Sequence, residues 1–273
     1  MFPIRLSSAV ESNPAFTTLA RKARESNTTW LERARQACNA TDGCGILLLG
    51  GVKTPHFLLR SAQSVARHDR SGSHWSHCAL IEDLSVAIDS HTVLSEVPLW
   101  THPGAGWPPE RNALVDGSIG EYSRARQFPN VALIRVPCAR DTVHTLVGQI
   151  SRRPLEVDAV SMLHDWLGYL WGVRETGNPL QRGVGLPSAV LVETVVGAAW
   201  RDLTPGLPTL ASCPEAIWQA AKHWHQYHQS TSPATGASPT QQRQSQVLSG
   251  RFCIDHRLVP EALQGVKNGR RVK

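Results

Sequence analysis

Several features by which a chain declares its class are missing from this sequence. No apolar run approaches the roughly 20 residues that cross a bilayer, so no membrane span is expected. The six cysteines (Cys38, Cys44, Cys78, Cys138, Cys213 and Cys253) are scattered without a C-x-x-C pair. That spacing speaks against a zinc ribbon and against a disulfide-stapled scaffold, and reduced thiols are the expectation. There is no H-E-x-x-H to mark a metalloprotease and no internal repeat. The opening stretch MFPIRLSSAVESNPAF holds one early arginine. It has neither a continuous apolar core nor a small-residue cleavage site, which points to cytoplasmic residence, with export by a dedicated route left open.

What is present is a globular composition: 273 residues, 41% hydrophobic and 18% charged, enough to bury a substantial core in one elaborated domain. No cofactor is indicated. The net charge of +6 comes largely from Lys267, Arg270, Arg271 and Lys273 near the C-terminus. The body is therefore nearly neutral, and a nucleic-acid partner is not expected.

Residues 14–38 carry apolar positions at helical spacing (Phe16, Leu19, Ala20, Ala23, Trp30, Leu31, Ala34), which predicts one or two helices. GCGILLLGG (43–51) reads as a buried strand, and VALIRVP (131–137) as another. HCALIEDLSVAIDS (77–90) shows two strand-like runs around a polar turn and predicts a β-hairpin. THPGAGWPPERNALVDGS (101–118) is Pro- and Gly-rich and reads as a long loop. Helices follow at about 141–151, 158–172, 188–200 and 214–228. The layout is thus a helical extension (1–42), a central domain (43–229) and a polar linker with a basic tail (230–273).

His77, at the mouth of the predicted hairpin, is the first chemical candidate. With a three-residue turn it lands opposite Asp89, on one face with Cβ atoms about 4.5–5.5 Å apart. A two- or four-residue turn sends Asp89 to the other face. A carboxylate that holds an imidazole in one tautomer is half of a catalytic triad, and the alternative is a partly buried histidine satisfied by a polar neighbour. Cys78 points away from His77 by strand alternation. Ser188, in GVGLPSAVLVETVVGAAW (183–200), stands at a helix start, where free N–H groups favour an oxyanion or a thiolate, although serine there is also a common N-cap.

CGILLLGG, WSHCALIED, VAIDS, VALIRV and PSAVLVETV, in that order over residues 43–200, together resemble the circularly permuted branch of the papain-like NlpC superfamily, the YiiX-like peptidases and their lecithin:retinol acyltransferase relatives. The resemblance implies an α+β, permuted papain-like (NlpC-type) fold, a small antiparallel sheet packed against helices. It implies His77 as base, Asp89 as orienting residue and Ser188 where the family has its cysteine. The expected activity is that of a cysteine peptidase or amidase acting through an acyl-enzyme on a peptide, peptidoglycan-like or protein substrate. The alternatives are an acyltransferase or thioesterase on lipid acyl groups, and an inactive peptide-binding module. The serine departs from the family pattern, and three explanations compete: an engineered substitution, a serine enzyme, or lost catalysis.

Cys213, before Pro214 at a helix start, is a rival nucleophile. A cluster of His74, His77, His223, His225 and His228 is a rival metal site. Trp75, Trp100 and Trp107 are candidates for lining a cleft, or for packing.

Overall fold

A computed structural model describes residues 17–38, 42–67, 70–99, 111–152, 157–173, 176–231 and 247–249. Cys253, Trp100, Trp107, the basic C-terminal cluster and nearly all of the polar linker lie outside them.

The architecture is mixed α and β. One sheet has strand order β1-β7-β6-β2-β3-β4-β5. Its body is antiparallel: β2 (Cys44–Gly50), β3 (His77–Ile81), β4 (Val93–Glu96), β5 (Val115–Ser118) and β6 (Asn130–Val136). The short β7 (Val247–Ser249) joins β6 antiparallel, and β1 (Thr17–Thr18) adds to β7 in parallel.

Every residue of β2, β3 and β6 is buried, because helices cover both faces of the sheet. Such strands read as continuous apolar runs rather than alternations. Ile46, Leu48, Cys78, Leu80, Ala132 and Ile134 face one core, under α3 (Arg140–Arg152), α4 (Ala159–Leu170), α5 (Pro187–Ala199) and α6 (Pro214–Thr231). Leu47, Leu49, Ala79, Ile81, Val131 and Leu133 face a second core, under Trp30, Leu31 and Ala34 of α1 (Asn27–Ala37). Each fully buried aliphatic side chain contributes roughly 1.5–3 kcal/mol, so both layers hold the sheet.

α1 starts where Ser26 caps it, its hydroxyl accepting from the Thr29 N–H at 3.1 Å. The side chain of Asn27 fixes that end on the sheet, donating to the Tyr122 and Phe128 carbonyls at 2.7 and 2.9 Å. α5 is buried nearly all round, from Pro187 to Glu193 and again at Val195 and Val196, as a central helix must be. α6 is tied down through Glu215, which is fully buried and accepts from Ser73 at 2.6 Å and from Arg67 at 3.0 Å.

The structure departs from the sequence reading in four places. β1 occupies part of the stretch predicted as helix before α1. β5 emerges from the predicted loop 101–118, and α2 (Thr54–Ala62) occupies a stretch left unassigned. The predicted hairpin is absent: after β3 the chain runs through a loop to β4, and Val86 is 61% exposed.

Candidate functional site

The loop that replaces the hairpin determines where Asp89 goes. Asp83 accepts from the Ser85 N–H and hydroxyl, and Asp89 accepts from the His91 N–H at 2.8 Å and the Thr92 hydroxyl at 3.1 Å. Short acidic side chains that bond the backbone two residues on make turns rather than strands. Asp89 is exposed, and its carboxyl is held below the usual range first by the His91 N–H. It is therefore not the orienting partner of His77. Loop chemistry, not hairpin register, governs its position.

That partner is Glu96. β3 and β4 pair antiparallel with Leu80 across from Ser95, which sets Glu96 across from Ala79 and one diagonal step from His77 on the same face. His77 Nε2 lies 2.5 Å from Glu96 Oε2, and both residues are 1% exposed. With the carboxylate as acceptor the ring proton sits on Nε2. Tyr122 donates its hydroxyl to the same carboxylate oxygen at 2.8 Å and stacks on the imidazole with centroids 5.7 Å apart. Burial, and then the Glu96 charge, push the Tyr122 phenol far above its ordinary range, so it stays a donor. Gly117 on β5 makes room, since a Cβ there would collide with Glu96 Oε1. His56 lies nearby, its Nδ1 3.0 Å from Ser76 Oγ and its ring edge-on to Phe128. Burial, then the neighbouring His77, Lys53 and Arg60, lower it to about 3.

Ser188 lies elsewhere. α5 begins at Pro187 with Leu186 as its N-cap, so Ser188 is the second helical residue rather than the cap. Its hydroxyl is 3.7 Å from the thiol of Cys78, in the core beneath α3 to α6. Strand alternation puts His77 and Cys78 on opposite faces. The sheet therefore lies between the imidazole and the Ser188 hydroxyl, and the structure does not bring Ser188, His77 and Asp89 together. Ser188 is 1% exposed, and burial drives the Cys78 thiol well above its ordinary range. Cys213 shares that core and is raised by burial to about 12, so neither thiol is ionised near neutral pH.

No group of three or more His, Cys, Asp or Glu side chains able to hold a metal occurs among the described residues. The side chains of His225 and His228 lie outside them. Trp75 is a core residue packed edge-on against Trp218 at 5.1 Å. No helix among the described residues is long and apolar enough to cross a membrane.

Sequence reasoning missed Glu96 and Tyr122. The signal for Glu96 was the alternation in TVLSEV (92–97), where Leu94 and Glu96 share a face. For Tyr122 there was none, because a 3-10 turn (Ile119–Tyr122) delivers it.

No family model, no curated protein and no solved structure matches this chain.

Proposed function

We propose that this protein is a catalytically inactive relative of the permuted papain-like NlpC-type hydrolases, a recognition module that holds a peptide or acyl group without turning it over. The resemblance in the order of the motifs supports the kinship. The loss of catalysis rests on one observation: Ser188, at the position of the family's cysteine, packs against Cys78 on the side of the sheet away from His77. A hydroxyl without a base within reach stays protonated near neutral pH and is a poor nucleophile. The His77–Glu96–Tyr122 network then serves the core, each buried polar group satisfying another.

The test is turnover of a panel of peptide amides, peptidoglycan fragments and acyl esters by the protein and by its Ser188→Cys variant. The expected result is hydrolysis by neither. Turnover by Ser188→Cys that is lost on adding His77→Ala would overturn the reading.

A second reading, an amide hydrolase with His77 as base and Glu96 as orienting carboxylate, is favoured by the 2.5 Å contact between them. Its nucleophile would have to lie on the α1 side of the sheet. Fluorophosphonate labelling of the protein that is lost in His77→Ala would establish this reading, and an unlabelled protein would exclude it.

A further inference from the structure

The exposed arginines Arg111, Arg140 and Arg182 each face a carboxylate, Asp116, Asp83 and Asp165 in turn. One region breaks that pattern. Lys22, Arg24, Lys53, Arg124 and Arg126 are all exposed, and none of them forms an ion pair among the described residues.

The fold gathers these cations around one turn. Residues 123–127 are closed on themselves by the Gln127 and Phe128 N–H groups, which donate to the Arg124 carbonyl at 2.9 and 3.0 Å. On one side the Asn27 N–H of α1 donates to the Ser123 carbonyl at 2.9 Å, and on the other the Val52 N–H donates to the Gln127 carbonyl at 3.1 Å. Lys53 follows Val52 directly. Lys22 and Arg24 lie in the turn just before α1, which the Glu25 N–H closes on the Lys22 carbonyl at 3.2 Å. Glu25 is buried and held by Arg33 at 2.7 Å, which leaves Glu121 as the exposed acid on these segments. Both α1 and α2 begin beside the turn with no acidic residue in their first turn, and Lys53, the N-cap of α2, supplies no side-chain acceptor. The positive ends of both helices therefore add to the field. The near-neutral charge of the body is an average that hides this patch.

The side chains also select among polyanions. Three of the five are arginines, whose planar guanidinium matches a phosphate. None of the exposed large apolar side chains, Val86, Val93, Trp171, Val173, Leu207 and Leu210, lies on these segments, so nothing there enters a bilayer. Trp30, Tyr122 and Phe128 are buried, so unpaired bases have no platform to stack on.

We infer that this patch binds the phosphate backbone of a double-stranded nucleic acid without reading its sequence. Phosphate contacts position a protein on a duplex and carry no sequence information directly. The inference stands on the cations around the 123–127 turn and is independent of the chemistry at Ser188.

The experiment is fluorescence anisotropy of the full chain with labelled DNA and RNA duplexes of about 20 base pairs, between about 50 and 200 mM NaCl, with phosphatidylserine vesicles as competitor. Both duplexes should bind in the micromolar range at the lowest salt, two unrelated DNA sequences within about twofold, with log affinity falling against log salt at a slope of about −4. Arg124→Ala/Arg126→Ala, both at exposed positions, should weaken binding about tenfold and reduce the slope by about 2. Arg140→Ala/Arg182→Ala removes the same charge outside the patch and should change affinity by less than about twofold. Absence of binding, an equal loss in the outlying pair, or preferential binding to the vesicles would overturn the inference. A slope untouched by Arg124→Ala/Arg126→Ala would also overturn it, placing the contacts elsewhere, the basic C-terminal cluster included.

Discussion

At the scale of single residues, the two acidic side chains considered for His77 differ in what surrounds them. Glu96 accepts two hydrogen bonds inside the core, while Asp89 accepts through Oδ1 from the backbone and hydroxyl of a solvent-facing turn. Glu96→Ala leaves a buried imidazole and phenol without their acceptor, a loss of about 3–5 kcal/mol in urea unfolding by comparison with other broken buried pairs. Asp89→Ala should shift the midpoint far less, and the reverse ranking would contradict the assignment. His56 makes a separate prediction. Its folded pKa of about 3 lies below the ordinary 6.5, so the unfolded chain binds the proton more readily. The stability it confers is complete above pH 6.5 and falls as pH drops toward 3, by about 1.4 kcal/mol per pH unit within that window. His56→Phe should flatten this part of the stability profile.

At the scale of elements, the sequence was legible wherever a periodic apolar pattern met a strong boundary. β2, β6 and the four helices from α3 to α6 announce themselves, since glycines or prolines flank runs that burial then confirms, while β3 was legible from its apolar run alone. The failures have a common cause. SVAIDS looks more strand-like than TVLSEV by composition alone, yet the turns made by Asp83 and Asp89 hold the first in a loop and release the second as β4. A search for period two would have selected Leu94 and Glu96, but nothing local shows that β4 pairs with β3. Two substitutions probe how elements meet. Asn27→Ala removes both bonds from the start of α1 to the 122–128 segment and should cost about 1–3 kcal/mol. Gly50→Ala would drive a Cβ into the His74 carbonyl at the end of β2, an overpacking cost of about 1–3 kcal/mol or more. A thermal shift within error of the parent for either would show that the ends of the sheet are softer than described.

At the scale of the whole molecule, the decisive feature is a sheet with helices on both faces. A chain with one covered face would gather its inward side chains into a single layer. Here α1 and α5 occupy opposite layers, so a histidine and a serine on adjoining elements can be neighbours in topology and strangers in space. No sequence pattern reveals that partition, because β2, β3 and β6 are apolar on both faces. The measurement that tests this most directly is iodoacetamide modification of Ser188→Cys, mapped by mass spectrometry under native conditions, with and without His77→Ala. A thiol at position 188 should react as slowly as the buried Cys78 and be indifferent to the histidine. Rapid modification that disappears with His77→Ala would place the two groups on the same side and contradict the account.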